Sequence, residues 1–162
     1  MKLRGLPILG TAALAITSVI GAFAAPSTAH AVEVDSPGPL MNLQWNPDLS
    51  CQTLRSGDTS SAFFGSDACG TFVSYGGVVY GPSVAAGFST GATNYENVSQ
   101  TPISGNGSAA APYTVDTVVR VDGKFTLTQQ DRYVVGDERW VTTMTLTNLG
   151  APQSEVWIYR GG

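Results

Sequence analysis

From Tyr113 to Asn148 apolar and polar residues alternate, which is the period of a half-buried strand and not of a helix. Val115, Val119 and Val121 interleave with Thr114, Asp116 and Arg120, and Phe125, Leu127 and Tyr133 with Thr126, Thr128, Gln130 and Arg132. Met144 and Leu146 follow, between Thr143, Thr145 and Thr147. Successive side chains of a strand point to opposite faces, so the segment predicts an antiparallel meander with one core face and one solvent face.

The registers follow from the same pattern. Gly136-Asp137 reads as a tight Gly-X hairpin turn that pairs Tyr133 with Trp140, Gln129 with Met144 and Leu127 with Leu146. Asp122-Gly123 has type I′ composition, yet a turn made of those residues alone sets Val121 opposite Lys124 and Val119 opposite Thr126. An odd-length loop that includes Lys124 pairs Val121 with Phe125 and Val119 with Leu127. We expect that register, because a one-residue slip would move a strand's whole apolar set into water. It leaves Asp116 diagonal to Arg132 and turns Asp131 toward the inner face near the end of its strand.

Leu149 to Gln153 is turn chemistry, and Glu155 to Arg160 predicts a further strand. Both of its faces are apolar, with Val156 and Ile158 on one and Trp157 and Tyr159 on the other. Such a strand needs cover. Three sources stay open: the N-terminal half, a partner, or chain missing from a truncated fragment. Upstream, Leu40–Trp45 and Thr71–Tyr80 predict strands, the second broken by a bulge or turn at Gly76-Gly77. Residues 81–112 form a Gly-, Ser-, Thr- and Ala-rich excursion with a short strand around Tyr95–Ser99, either ordered by packing or flexible.

The first residues read differently. Lys2 and Arg4 precede an apolar run from Leu6 to Ala25, and Ala29-His30-Ala31 supplies a small-x-small cleavage site. Residues 1–31 therefore read as a signal peptide and 32–162 as the exported domain. An uncleaved anchor is the competing reading, disfavoured by Pro26 and the small residues after it. No later segment is apolar enough to span a bilayer, so the expectation is a secreted protein with no membrane contact after cleavage.

Composition sharpens this. The chain has 162 residues, 43% apolar and 12% charged, with 19 Gly and 9 Pro. That suits one turn-rich, all-β domain, and we expect an antiparallel β-sandwich, complete or truncated. Cleavage removes His30, the only histidine, and leaves six cations against 12 carboxylates, a net charge of −6. Without histidine there is no Ser-His-Asp or Cys-His nucleophile and no imidazole for zinc. Six scattered cations make no basic stripe, so nucleic acid is not an expected partner. Cys51 and Cys69, in an exported chain, predict a disulfide worth about 3 kcal/mol, with no nearby His or Lys to activate a free thiol.

Catalysis would fall to carboxylates flanking a glycosidic bond, with Asp131, Asp137 and Glu138 as candidates. A turn position for Asp137, a sheet rim for Glu138 and a local partner for Asp131 explain them equally well. Asp58, Asp67, Asp137 and Glu138 lack the spacing of a calcium loop, so we assign no catalytic residue, metal or cofactor. A ligand platform on a rigid sheet could draw on Trp45, Tyr75, Tyr80, Tyr95, Trp157 and Tyr159. We place it at Trp157 and Tyr159, against the competing reading that both are core. The line of Thr143, Thr145 and Thr147 fits ordinary β propensity better than an ice-binding face.

The segments LSCQTLRSGDTSSAFFGSDACGTFVSYGGVVYGPS, YENVSQTPISGNGSAAAPYTVDTVVRV and LTQQDRYVVGDERWVTTMTLTNLG cover most of residues 50–160. In that order they resemble a group of secreted β-rich proteins of high-GC Gram-positive bacteria. The resemblance implies a secreted β-sandwich, often one part of a longer surface or exported chain. Two features depart from it: Ala111 stands before Pro112 in place of an acidic residue, and the last strand is followed only by Gly161-Gly162. The function expected is non-catalytic binding of a carbohydrate or cell-envelope polymer, or a structural role in envelope or medium. A histidine-free, carboxylate-dependent sugar-processing domain and an inactive fragment are the alternatives.

Overall fold

A computed structural model describes residues 31–60, 62, 69–82, 84–85, 88–152 and 155–161. Residues 1–30, the bulk of the signal peptide reading, lie outside the described residues, as does Asp67. Regular structure among the described residues is all strand: β1 (Val32–Val34), β2 (Leu40–Trp45), β3 (Ser50–Arg55), β4 (Cys69–Tyr75), β5 (Val78–Tyr80), β6 (Val84–Ala85), β7 (Phe88–Ser89), β8 (Glu96–Gln100), β9 (Tyr113–Val121), β10 (Phe125–Tyr133), β11 (Val141–Asn148) and β12 (Val156–Gly161).

The alternating segment forms the antiparallel sheet β11-β10-β9-β8. Its registers are the expected ones: Phe125 opposite Val121 and Leu127 opposite Val119 on one side, Leu127 opposite Leu146 and Gln129 opposite Met144 on the other. The apparent conflict at the first hairpin resolves locally. Asp122 and Gly123 both have positive φ, 51° and 64°, and Lys124 N–H donates to Val121 O, so the pair is a type I′ turn. Lys124 is the extra residue beyond it, which makes the loop odd and keeps the valines inside. The second turn differs from expectation. Asp137 N–H donates to Val134 O, which centres the turn on Val135-Gly136, and Trp140 stands just before β11.

β1, β2, β3, β4 and β12 follow one another in a second sheet, with β5 also paired to β4. Gly76 and Gly77, at φ 60° and 82°, are the turn between β4 and β5, with Val73 paired to Tyr80. β12 therefore leaves the meander and crosses to the opposite sheet, where Ile158 pairs with Val73 and Arg160 with Thr71. The two sheets pack face to face as a β-sandwich, and a Cys51–Cys69 disulfide links β3 to β4.

The core between the sheets is not uniform. Val73, Tyr75, Val119, Val121, Phe125 and Leu127 form one apolar cluster, and Leu43, Trp45, Cys51, Cys69, Val115 and Tyr133 form another. Along three strands a buried polar residue lies between the clusters: Thr71 on β4, Thr117 on β9, and Gln129 and Asp131 on β10. Buried polar groups persist when they are hydrogen-bonded. Here Thr71 Oγ1 donates to Gln129 Oε1 at 2.7 Å, bridging the sheets, and Gln129 Nε2 donates to Asp131 Oδ2 at 2.7 Å.

The excursion of residues 81–112 is tied down where it is described. Tyr95 is buried and donates its hydroxyl to Thr71 O at 3.0 Å, β8 pairs with β9, and Ser104 bridges to Thr114.

Candidate binding surfaces on the last strand

β12 carries the chemistry on both faces. On its outer face Trp157 is 61% and Tyr159 45% exposed, so neither belongs to the core. Their cross-strand neighbours on β4 are Ser74 and Phe72. The Tyr159 and Phe72 rings are nearly parallel, 11° apart with centroids at 5.4 Å. Phe72 in turn lies across Gly81, where an added Cβ would stand 2.3 Å from the Phe72 ring, so only glycine fits beneath it. The ring pair thus holds Tyr159 from one side while Trp157 projects from the next outward position. The other aromatics considered for a platform, Trp45, Tyr75, Tyr80 and Tyr95, are all buried.

On the inner face Val156 packs against the first apolar cluster, whereas Ile158 remains 38% exposed at the open side of the sandwich. Arg160 continues the polar band. Its Nη1 lies 3.9 Å from Asp131 Oδ1 and 3.5 Å from Thr71 Oγ1, and its Nη2 is 3.0 Å from Cys51 Sγ. The guanidinium carbon is 5.6 Å from the centre of the Trp140 ring.

Asp131 is only 1% exposed. Thr142 Oγ1 donates to its Oδ1 at 2.6 Å, so with Gln129 both carboxylate oxygens are engaged. Burial raises its pKa above the usual carboxylate value, opposed by the bonds from Thr142 and Gln129 and by the charge of Arg160. Burial lowers the pKa of Arg160, and Asp131 opposes the shift.

The band opens into a cavity of about 610 Å³ lined by Leu40, Thr53 and Arg55 from β2 and β3, by Glu138, Arg139 and Trp140 before β11, and by Thr142, Arg160 and Asp58. Arg55 and Glu138 form an ion pair at its rim. Of the candidate carboxylates, Asp58 and Glu138 reach this cavity, Asp137 is exposed on the turn, and Asp131 sits behind Thr142 and Arg160. Among the described residues no three His, Cys, Asp or Glu side chains gather as a metal site. The arginines of the cavity went unmarked in the sequence, where they lie scattered. Scarcity was the available signal, since three of the six cations after residue 31 end here. Thr143, Thr145 and Thr147 are exposed on β11 as expected.

No family model matches the chain, and neither the curated proteins nor the solved structures include a match.

Proposed function

We propose that this is a secreted, non-catalytic binding protein that engages a carbohydrate polymer of the cell envelope or medium through the outer face of β12. The observation that carries the reading is the exposure of Trp157 and Tyr159 on one face of a strand, with Tyr159 braced by Phe72. Exposed apolar groups standing together on a rigid sheet mark interaction surfaces, and an aromatic ring gives large contact area at low entropy cost. A linear polymer suits an open sheet face, which offers length and no enclosure.

The carboxylate-enzyme alternative gains little from the geometry. Asp131, the carboxylate with the raised pKa, is buried and both its oxygens already accept a hydrogen bond, so it presents no exposed oxygen to a substrate. The test is co-sedimentation of the protein with insoluble peptidoglycan, cellulose and chitin, with reducing ends assayed in the same tubes. Depletion from the supernatant by at least one polymer, lost in Trp157→Ala/Tyr159→Ala and without released sugar, is the expected result. Release of sugar that Asp131→Asn abolishes would replace binding by catalysis.

A further inference from the structure

We infer that the arginine-lined cavity at the open side of the sandwich is a second site, which takes a small acidic sugar of the uronate class. It lies on the opposite face of β12 from Trp157 and Tyr159, and it stands or falls independently of the polymer-binding proposal.

The first support is charge placement. The chain after residue 31 is acidic and has six cations, yet Arg55, Arg139 and Arg160 all line this one cavity. Arg55 is neutralised by Glu138 at the rim. Arg160 is matched less closely, its carboxylate partner Asp131 lying 3.9 Å away. Its side chain is 25% exposed, and the acceptors it reaches are a hydroxyl at 3.5 Å, a carboxylate oxygen at 3.9 Å and disulfide sulfur. Arginine carries five N–H donors in a planar fork suited to a carboxylate, and charge-assisted bonds of this kind are short, about 2.7–2.9 Å. All the contacts of Arg160 are longer than that, and the shortest, 3.0 Å, is to sulfur, a weak acceptor. A guanidinium held at the base of a solvent-open cavity with unspent donors is a receptor for an anion.

The second support is what surrounds it. Asp58 and Glu138 line the same cavity, so a multiply charged anion such as phosphate meets more repulsion there than a single carboxylate flanked by hydroxyls. Those acids, with the hydroxyls of Thr53 and Thr142, are acceptors for sugar hydroxyl groups, and Trp140 supplies an apolar wall. The volume, about 610 Å³, lies within the range of small-ligand pockets.

The experiment is isothermal titration at low ionic strength with glucuronate, glucose and inorganic phosphate as separate probes. We expect saturable binding of glucuronate, at least about tenfold weaker binding of glucose and phosphate, and a loss of about tenfold for glucuronate in Arg139→Gln. Arg160→Lys keeps the charge, removes the fork and should lose more. Because Arg160 also touches the core, Arg139→Gln at an exposed position is the variant that keeps the test sound if Arg160→Lys unfolds. Trp157→Ala should bind glucuronate like the parent, which separates this site from the polymer face. No saturable binding of glucuronate to the folded protein overturns the proposal. So does preference for glucose or phosphate, or parental affinity in Arg139→Gln.

Discussion

The two faces of β12 are built by different physics. Outside, Trp157 and Tyr159 project from consecutive outward positions, Tyr159 stacked on Phe72 and Trp157 opposite Ser74. Inside, Arg160 belongs to a chain of buried polar groups that joins both sheets through Thr71, Gln129 and Asp131. Outer residues can therefore change with little effect on the fold, while the inner band cannot lose a member without orphaning another. The comparison teaches that the exposed side chains of this strand stand apart from the packing that holds the fold, whereas Arg160 on the other face both lines the cavity and ties the sheets together.

The strongest break in that contrast should come from Asp131→Ala. It strands Arg160 beside the disulfide and leaves Gln129 and Thr142 without their acceptor, so about 3–4 kcal/mol should be lost in urea unfolding, the scale for breaking a buried pair. Reduction of Cys51–Cys69, or Cys51→Ser/Cys69→Ser, should cost about 3 kcal/mol by the same assay.

A smaller effect follows from pH. The folded pKa of Asp131 is raised, so the native state retains a proton that the unfolded chain has released. This group's contribution is most favourable below the unfolded value. It falls as pH rises from there to the folded value and stays at its lower level above. Asp131→Asn should flatten that slope of stability against pH. A slope unchanged in the variant would place its origin elsewhere.

The smallest effect on stability should be at the outer face. Trp157→Ala should change the unfolding free energy by no more than about 0.5 kcal/mol, since surface substitutions away from packed features rarely do more. Loss of stability comparable to Asp131→Ala would erase the distinction between the faces.

How much of this was legible depended on whether local pattern or distant assembly decided the outcome. Strands β9 to β11 could be read, registers included, because each alternates cleanly and the valines tolerate only one pairing. The hairpin at Asp122-Gly123 shows why composition alone was insufficient, as the turn is type I′ and still carries Lys124 as an added residue. β3 escaped notice because SCQTLR is polar on paper, although Ser50, Gln52 and Thr53 are buried. The exposed pair Trp157 and Tyr159 was visible as an anomaly, a strand apolar on both sides. The cavity was not, because its walls come from β2, β3, the turn before β11, and β12, and no spacing in the chain announces that they meet.

The most direct measurement of the polymer-binding claim uses the three tryptophans, which sample three regions: Trp45 in the core, Trp140 at the cavity and Trp157 on the outer face of β12. Their indole N–H signals can be followed by NMR while a soluble oligomer of the bound polysaccharide is titrated in. Saturable movement of the Trp157 signal with Trp45 unmoved is the predicted result. A saturated complex in which Trp157 does not move would contradict the account.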